Sequence, residues 1–199
     1  MSDVAAAAAA IASAEVVALP TDTVYGLACD PRSAGAVDRI YAIKQRPGDL
    51  ELTLLAASVA DLEALVAFNE AARLLARAFW PGGLSIVLPV GEERLAIPRM
   101  GATLSSRVPR HETALALLRV TGPLATTSAN RHGRLPARTA AEVRERLGVD
   151  VALVLDGGPA AGEASTIIDC TIHPARVLRE GPIPSDLLLA YVGQNHERG

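Results

Sequence analysis

The chain has 199 residues, of which 50% are hydrophobic and 3% aromatic, and its net charge is −3 at pH 7. This length predicts one domain with one core, so we treat residues 1–199 as a single domain. The acidic charge argues against tight non-specific binding to nucleic acid, and few aromatic side chains are present on which bases could stack. No apolar stretch is long enough to cross a bilayer, which predicts a cytoplasmic protein with no membrane contact.

Short apolar runs alternate with helical periodicity along the chain, which predicts an α/β fold. Helices are predicted over the alanine run 5–10, over 33–44, within 58–79, near 112–119 and near 140–147. Strands are predicted at 16–19, 52–56, 84–88, 103–108, 123–127, 151–155, 165–169 and 176–178. The sequence contains no internal repeat.

Several common kinds of site lack their motifs. Cys29 and Cys170 stand in apolar contexts without metal-site or disulfide spacing, which predicts two buried free thiols. The histidines at 111, 132, 173 and 196 show neither HxxxH nor HExxH spacing. There is no GxxxxGK(S/T) loop, no GxGxxG after a strand and no GxSxG elbow. A bound nucleotide must therefore be held by side chains.

Five polar or glycine-rich loops follow predicted strand and helix ends, at 20–26, 44–47, 107–109, 126–130 and 162–166. Open α/β sheets usually place their ligand-binding groups in such loops. We therefore take these loops as the candidate site.

Lys44 is the only lysine in a chain that contains 18 arginines. It could supply a compact ammonium to phosphate oxygens, or it could complement the dipole at a helix C-terminus, which is the simpler explanation of the lysine alone. Arg46 could bind the same polyanion as a bidentate fork. Ser128 and Asn130 place a hydroxyl and an amide on one side of an extended segment, although an ordinary turn or N-cap explains that pair taken alone.

Eight segments, in order along the chain, resemble the YrdC/Sua5 family of threonylcarbamoyl-AMP synthases, especially its short members that consist of the catalytic domain alone. The segments are PTDTVYGLACD (20–30), IYAIKQRP (40–47), FWPGGLSIVLP (79–89), SSRVPRH (105–111), GPLATTSANRHG (122–133), LVLDGGP (153–159), STIID (165–169) and VLREGPIP (177–184). Each segment is modest, but eight in one order make a specific signal over nearly the whole chain.

The resemblance implies a YrdC-like fold, a single α/β domain in which a twisted mixed β-sheet and flanking helices surround an open cationic cavity. It implies an enzyme that makes threonylcarbamoyl-adenylate and pyrophosphate from L-threonine, bicarbonate and ATP, with Mg²⁺ accompanying the ATP. The product serves the N6-threonylcarbamoyladenosine (t6A) modification of tRNA at position 37. The implied partners are the downstream tRNA threonylcarbamoyl-transfer machinery and, through a weak contact, tRNA itself.

The family's site residues carry over to ten positions of this sequence. The resemblance implies catalytic residues at the ATP triphosphate at Lys44, Arg46, Ser128 and Asn130. It implies further ATP contacts at Thr103, Thr139 and Arg179. It implies L-threonine binding at Thr23, Arg107 and Ser165.

The sequence departs from the family pattern at five positions. Leu50 and Glu51 replace the usual Asn and Pro after the KxR element, and Leu55 stands where some relatives carry a histidine near threonine. Gly83 replaces a proline, and His132 replaces a common serine after SAN. We expect these departures to affect local loop geometry and the efficiency of the chemistry.

Two alternatives share this fold. A non-catalytic RNA-binding protein of tRNA or ribosomal RNA maturation would use a basic cavity without turnover, although the acidic charge and scarce aromatic residues oppose it. A carbamoyl-transfer domain of the hydrogenase-maturation type belongs to longer chains with zinc-finger and acylphosphatase parts, and the sequence shows neither part.

Overall fold

The computed structural model describes residues 3–45, 52–97 and 102–196, and within these ranges it contains nine strands and seven helices. The strands are β1 Val17–Leu19, β2 Gly26–Cys29, β3 Thr53–Leu55, β4 Leu84–Pro89, β5 Thr103–Arg107, β6 Leu124–Ser128, β7 Leu153–Val154, β8 Thr166–Asp169 and β9 Arg176–Arg179. The helices are α1 Asp3–Ala12, α2 Ala34–Lys44, α3 Val59–Glu63, α4 Glu70–Phe79, α5 Glu112–Thr121, α6 Ala140–Leu147 and α7 Ser185–His196. The predicted α/β class is confirmed.

The nine strands form one mixed sheet in the order β7-β1-β2-β6-β3-β5-β4-β8-β9. The β1/β7, β3/β5 and β4/β8 pairs are parallel, and the other five pairs are antiparallel. The order sets β6, β3 and β5 side by side at the centre of the sheet, although they are far apart in sequence. Loops from distant parts of the chain therefore meet around the central strands.

The two faces of the sheet pack against different helices. On β1, Val17 and Leu19 belong to an apolar cluster with α1 and α5, whereas Ala18 between them belongs to a larger cluster that includes α2, α4 and α6. Successive side chains of a strand point to opposite faces, so this alternation means that the strand is buried on both sides.

The face that carries α1 and α5 changes from apolar to polar at the centre of the sheet. Leu124 and Leu55 belong to the apolar cluster, but Thr126 and Thr53, two residues away on the same strands, line a cavity. Residues two apart on a strand share a face, so the cavity lies beside the helix layer on this side. Thr53 is paired with Thr126 on β6 and with Ser105 on β5.

Side-chain caps fix where several helices begin. Ser33, Ser58, Asn69 and Thr139 each accept a hydrogen bond from the backbone N–H three residues further on. Gln45, in the left-handed conformation at φ 51° and ψ 48°, ends α2 directly after Lys44. The lysine predicted to lie at a helix C-terminus therefore does so.

The structure adds elements that the sequence patterns do not predict. Strand β2 and helix α7 are absent from the prediction, and β7 has two residues where a five-residue strand is predicted. The helices predicted within 58–79 are confirmed as α3 and α4. Cys29 and Cys170 are buried and unpaired, as predicted. Within the described ranges, no helix has the length and apolar character needed to span a membrane.

Candidate active site

A cavity of about 410 Å³ opens on the polar part of the sheet face. It is lined by the loop after β1, the end of α2, strands β2 to β6, the loop after β6, and the segment that runs into β8 and β9. All five candidate loops of the sequence thus contribute described residues to one cavity.

Buried polar side chains concentrate at this cavity. Among the described residues, eleven polar or charged side chains are buried, and eight of these eleven line the cavity. The eight are Thr21, Thr23, Lys44, Ser85, Arg107, Thr126, Asn130 and Ser165. Burial of polar groups costs free energy unless they are partnered, so such a concentration marks a candidate site rather than a packing requirement.

Cations dominate the charged groups of the lining. Lys44, Arg107 and Arg179 line the cavity, and no aspartate or glutamate of the described part of the chain does so. A wall of this composition favours an anionic ligand, because low-dielectric surroundings strengthen its interaction with the cations.

Lys44 reaches from the end of α2 to the loop after β6. Its side chain is buried at 3% exposure, and its Nζ donates to Ser128 O at 2.7 Å, Asn130 O at 3.0 Å and Asn130 Oδ1 at 3.0 Å. The backbone N–H of Gln45 donates to carbonyls at the end of the helix. The lysine therefore joins the helix terminus to the SxN pair, with its ammonium at the cavity wall.

The SxN pair is held in one orientation by hydrogen bonds. Ser128 Oγ donates to Asn130 Oδ1 at 2.5 Å, and Asn130 Nδ2 donates to Arg131 O at 2.9 Å and Arg134 O at 2.6 Å. Because the amide nitrogen is used by the loop, the amide oxygen is fixed toward the lysine and the serine.

Arg107 projects from the end of β5 and has partners at each nitrogen. Its Nε donates to Gly82 O at 2.8 Å, and its terminal nitrogens donate to Thr23 Oγ1 at 2.8 Å and Asp22 Oδ1 at 2.5 Å. Burial lowers the pKa of the guanidinium, and the charge of Asp22 opposes that shift. A guanidinium carries five N–H groups, so one on each terminal nitrogen remains beyond these three contacts.

Ser165 and Arg179 form the opposite wall of the cavity. Ser165 Oγ lies 2.9 Å from Ser85 Oγ, and Arg179 donates to Ser165 O from Nε at 3.1 Å and from a terminal nitrogen at 2.9 Å. Burial lowers the pKa of Arg179. Strand β9 thus places a cation against the segment that carries Ser165 into the cavity.

Comparison with known proteins decides the family. The profile of the Sua5/YciO/YrdC family, described as "Telomere recombination", matches residues 9–181. A protein of Mycobacterium tuberculosis (strain H37Rv), provisionally named as a threonylcarbamoyl-AMP synthase, is 38% identical over 193 residues, which cover 96% of this chain and 89% of that protein. The chain belongs to the Sua5/YciO/YrdC family.

Two longer members of the family show the same similarity. The threonylcarbamoyl-AMP synthase of Bacillus subtilis (strain 168) is 39% identical over 199 residues, which cover 97% of this chain and 57% of that protein. The crystal structure of Pyrococcus abyssi Sua5 complexed with L-threonine superposes with a TM-score of 0.91 at 37% identity, covering 96% of this chain and 57% of that chain. The chain thus spans slightly more than half the length of these two relatives.

Seven of the ten site residues implied by the family resemblance line the cavity. They are Thr23, Lys44, Arg107, Ser128, Asn130, Ser165 and Arg179. Arg46 lies outside the described residues, as do Leu50 and Glu51. Thr139 instead caps α6 by accepting from the backbone N–H of Glu142 at 3.2 Å, and Thr103 pairs with Pro89 between β5 and β4. The structure does not bring these two threonines to the cavity.

Several residues in or behind the lining were given no role from the sequence. Ser85, Thr21, Thr126 and His132 line the cavity, with Ser85 beside Ser165, whereas Asp22 holds Arg107 without lining the cavity itself. Asp22 and Thr21 stand in the predicted loop 20–26, so their position was marked although no role was assigned. His132 was marked only as a departure from the family pattern.

The described residues offer no cluster suited to a protein-held metal ion. No group of three or more His, Cys, Asp or Glu side chains with suitable positions occurs in the described ranges. Mg²⁺ prefers carboxylate and phosphate oxygens, and carboxylates are absent from the described lining. The described lining therefore offers no carboxylate ligand for Mg²⁺.

Proposed function

We propose that this chain is a threonylcarbamoyl-AMP synthase, which converts L-threonine, bicarbonate and ATP into threonylcarbamoyl-adenylate and pyrophosphate. The observation that carries the proposal is the convergence of Lys44, Ser128 and Asn130 at one end of a cavity that also holds Arg107, Thr23 and Ser165. Membership of the family supports the same activity, since relatives at 38% and 39% identity carry that name.

The arginine wall suits the carboxylate of an amino acid. Arg107 is held by three contacts and keeps one N–H on each terminal nitrogen, which is the donor pair that a bidentate carboxylate requires. Thr23 and Ser165 supply hydroxyls nearby, and a site built to hydrogen-bond a substrate hydroxyl rejects analogues that lack it. L-threonine fits these groups.

The lysine wall suits the triphosphate of ATP. The ammonium of Lys44 is fixed by the loop after β6, and Arg179 adds a second cation from β9. Arg46 is expected to add a third. Fixed cations around the phosphates stabilise the charge that develops on departing pyrophosphate without having to reorganise during the reaction.

The chemistry places modest demands on the protein. The amine of threonine captures CO₂ derived from bicarbonate, and the resulting carbamate attacks the α-phosphorus of ATP while the bond to pyrophosphate breaks. The carbamate is already an anion near neutral pH, so the attack itself needs no general base. The chain's residues therefore act by orienting two anionic reactants and neutralising their charge. Mg²⁺ bound to the phosphates would supply further neutralisation.

The cellular role follows from the product. We expect the adenylate to serve the t6A modification of tRNA through the downstream transfer machinery, in the cytoplasm, with at most weak contact between this chain and tRNA. The RNA-binding alternative is not favoured by the relatives, whose names describe a synthase.

Pyrophosphate release tests the proposal directly. The protein is incubated with ATP, L-threonine and bicarbonate, and each is omitted in turn while the adenylate is sought by mass spectrometry. We expect release to require both threonine and bicarbonate, because neither alone forms the carbamate. Equal release with ATP alone would identify a plain phosphohydrolase, and salt-dependent RNA binding without ATP consumption would favour the alternative.

A further inference from the structure

His132 lies at the phosphate end of the cavity and is joined to Lys44 through the backbone. It follows the SxN pair, lines the cavity, and its N–H donates to Lys44 O at 2.7 Å. The ammonium of the same lysine donates to Asn130 O at 3.0 Å. The two contacts run in opposite directions between the end of α2 and the loop after β6, so they fix the backbone of His132 beside the lysine.

The imidazole of His132 differs from the other polar groups of this wall in having no protein partner. Lys44, Ser128 and Asn130 are bonded to one another, whereas the exposed imidazole of His132 makes no hydrogen bond or ion pair with any residue in the ranges 3–45, 52–97 and 102–196. Its ring N–H therefore remains for a ligand in the cavity.

The charged groups around His132 are mainly cations. Lys44 faces it from α2, Arg131 and Arg134 flank it on its own loop, and Arg179 lies across the cavity on β9. The acidic group on this side is Asp150, which Arg131 holds at 2.7 Å. A ring N–H at this place therefore finds its acceptor on an anion in the cavity rather than on the described protein.

We propose that His132 is a further ligand of the terminal phosphates, donating a hydrogen bond from a ring N–H to a polyphosphate held at Lys44. The identity of that polyphosphate as ATP rests on the proposed function. The contact itself requires only a chain of phosphates. Charge-assisted hydrogen bonds of this kind are about twice as strong as neutral ones.

Calorimetric titration with inorganic tripolyphosphate, and with ATP alone, tests the proposal. Neither titration requires turnover. Wild type is compared with His132→Ala, with His132→Lys, which carries a permanent charge, and with His173→Ala, an exposed histidine that does not line the cavity. We expect His132→Ala to bind tripolyphosphate roughly tenfold more weakly than wild type. His132→Lys, which supplies a cation at the same position, should bind it more tightly than His132→Ala, and His173→Ala should match wild type.

The outcomes separate this inference from the proposed function. Equal affinity of wild type and His132→Ala for tripolyphosphate overturns the role of His132, whatever the pyrophosphate-release assay gives. Absence of tripolyphosphate binding by wild type also overturns it. A loss of tripolyphosphate affinity in His132→Ala but not in His173→Ala supports it even if pyrophosphate release proves independent of threonine, and in that case only the synthase assignment falls.

Discussion

The ammonium of Lys44 serves three oxygens within 3.0 Å, from Ser128 and Asn130, while it is only 3% exposed. Convergence of several acceptors on one point suits a compact group with three donors. A guanidinium is wider, and its N–H groups lie in one plane, so it cannot reproduce this set of contacts in the same space. The single lysine among 18 arginines thus has a geometric reason.

Substitution of Lys44 tests this reason. We expect Lys44→Arg to lower kcat/KM for pyrophosphate release by about tenfold or more, about 1.4 kcal/mol of transition-state stabilisation. Lys44→Ala should also lower the free energy of unfolding by about 1–3 kcal/mol, because buried oxygens lose their donor. Melting curves and the release assay measure the two effects. Arg39→Ala is the matched control, since Arg39 lies on the same helix but forms an exposed pair with Glu15. Full activity in the arginine variant would contradict the argument.

The family resemblance located residues of the cavity wall better than it located their partners. It implied Thr23, Arg107 and Ser165, and all three line the cavity. Asp22, which pairs with Arg107, is 85 positions away in sequence, and Ser85 is 80 positions from Ser165. Such partners are set by strand order and register, which no local pattern encodes. For the same reason, the two explanations of Lys44 could not be separated before its contacts were known.

At the scale of elements, local signals located most strands and helices but not all. Helix α6 begins and ends where its periodicity predicted, with Thr139 as its cap. Strand β2 reads Gly-Leu-Ala-Cys and is buried on both faces, so it shows no alternation by which a strand could be recognised. It also overlaps the candidate loop 20–26 at Gly26, so the loop motif hides the start of the strand. Helix α7 shows little segregation of apolar from polar residues. Such segregation is the main sequence signal of a surface helix, so α7 could not be recognised by it.

The segment between β7 and β8 carries Ser165 to the cavity and is fixed at Gly162. The N–H of Gly162 donates to Thr23 O at 2.6 Å. Arg138 clamps the same turn, since it donates to Ala161 O at 3.1 Å and accepts from the N–H of Ala160 at 2.8 Å. Gly162 has φ +91°, and a Cβ added there would lie 2.3 Å from Arg138 Nε. Glycine is therefore favoured by the backbone conformation, whereas the exposed side chain of Arg138 can move aside for a Cβ.

Gly162→Ala should disturb the amino-acid end of the cavity. We expect it to lower the free energy of unfolding by about 1–3 kcal/mol through backbone strain, and to raise the KM for threonine more than the KM for ATP, because the displaced turn contacts Thr23. Gly35→Ala is the control, since a Cβ at this helical position meets no atom within 4 Å. The double variant Gly162→Ala, Arg138→Ala should remove the contact between the added Cβ and the arginine side chain but keep the backbone strain. Unchanged stability and unchanged threonine KM in Gly162→Ala would show that the conformation of this turn has no role.

At the scale of the whole molecule, the sequence predicted the class of the fold and not its strand order. The mixed sheet was implied by the family resemblance, and its confirmation depends on pairings such as β2 with β6 and β3 with β5. Hydrophobic periodicity reports whether a strand is buried but not which strand lies beside it. The cavity depends on that order, because its walls come from strands that are neighbours only in space.

Both cysteines lie in the larger apolar cluster and report on the integrity of the whole core. Cys29 on β2 is 0% exposed, and Cys170, directly after β8, is 1% exposed. Burial raises the pKa of each thiol from 9.0 to about 12, and the nearby Asp30 and Asp169 add to the shift. The thiols therefore stay protonated in the folded protein under conditions in which they ionise in the unfolded chain.

Alkaline pH should destabilise the protein through these two thiols. Because the folded pKa is the higher one, their contribution to stability is complete below pH 9.0 and is lost progressively as the pH rises toward about 12. At about pH 10 we expect a loss of about 1.4 kcal/mol for each thiol relative to neutral pH. Urea unfolding at several pH values between about 8 and 10 measures this slope. The interval is chosen because the buried Tyr25, whose pKa is also raised, contributes mainly above it.

The double variant Cys29→Ala, Cys170→Ala is the control for this prediction. It should be less stable throughout, since it leaves space in the core. Its free energy of unfolding should nevertheless fall by about 2.8 kcal/mol less than that of wild type between neutral pH and about pH 10, because both thiols are absent. Parallel pH profiles for wild type and the double variant would contradict the account, because they would mean that both thiols titrate alike in the folded and unfolded states.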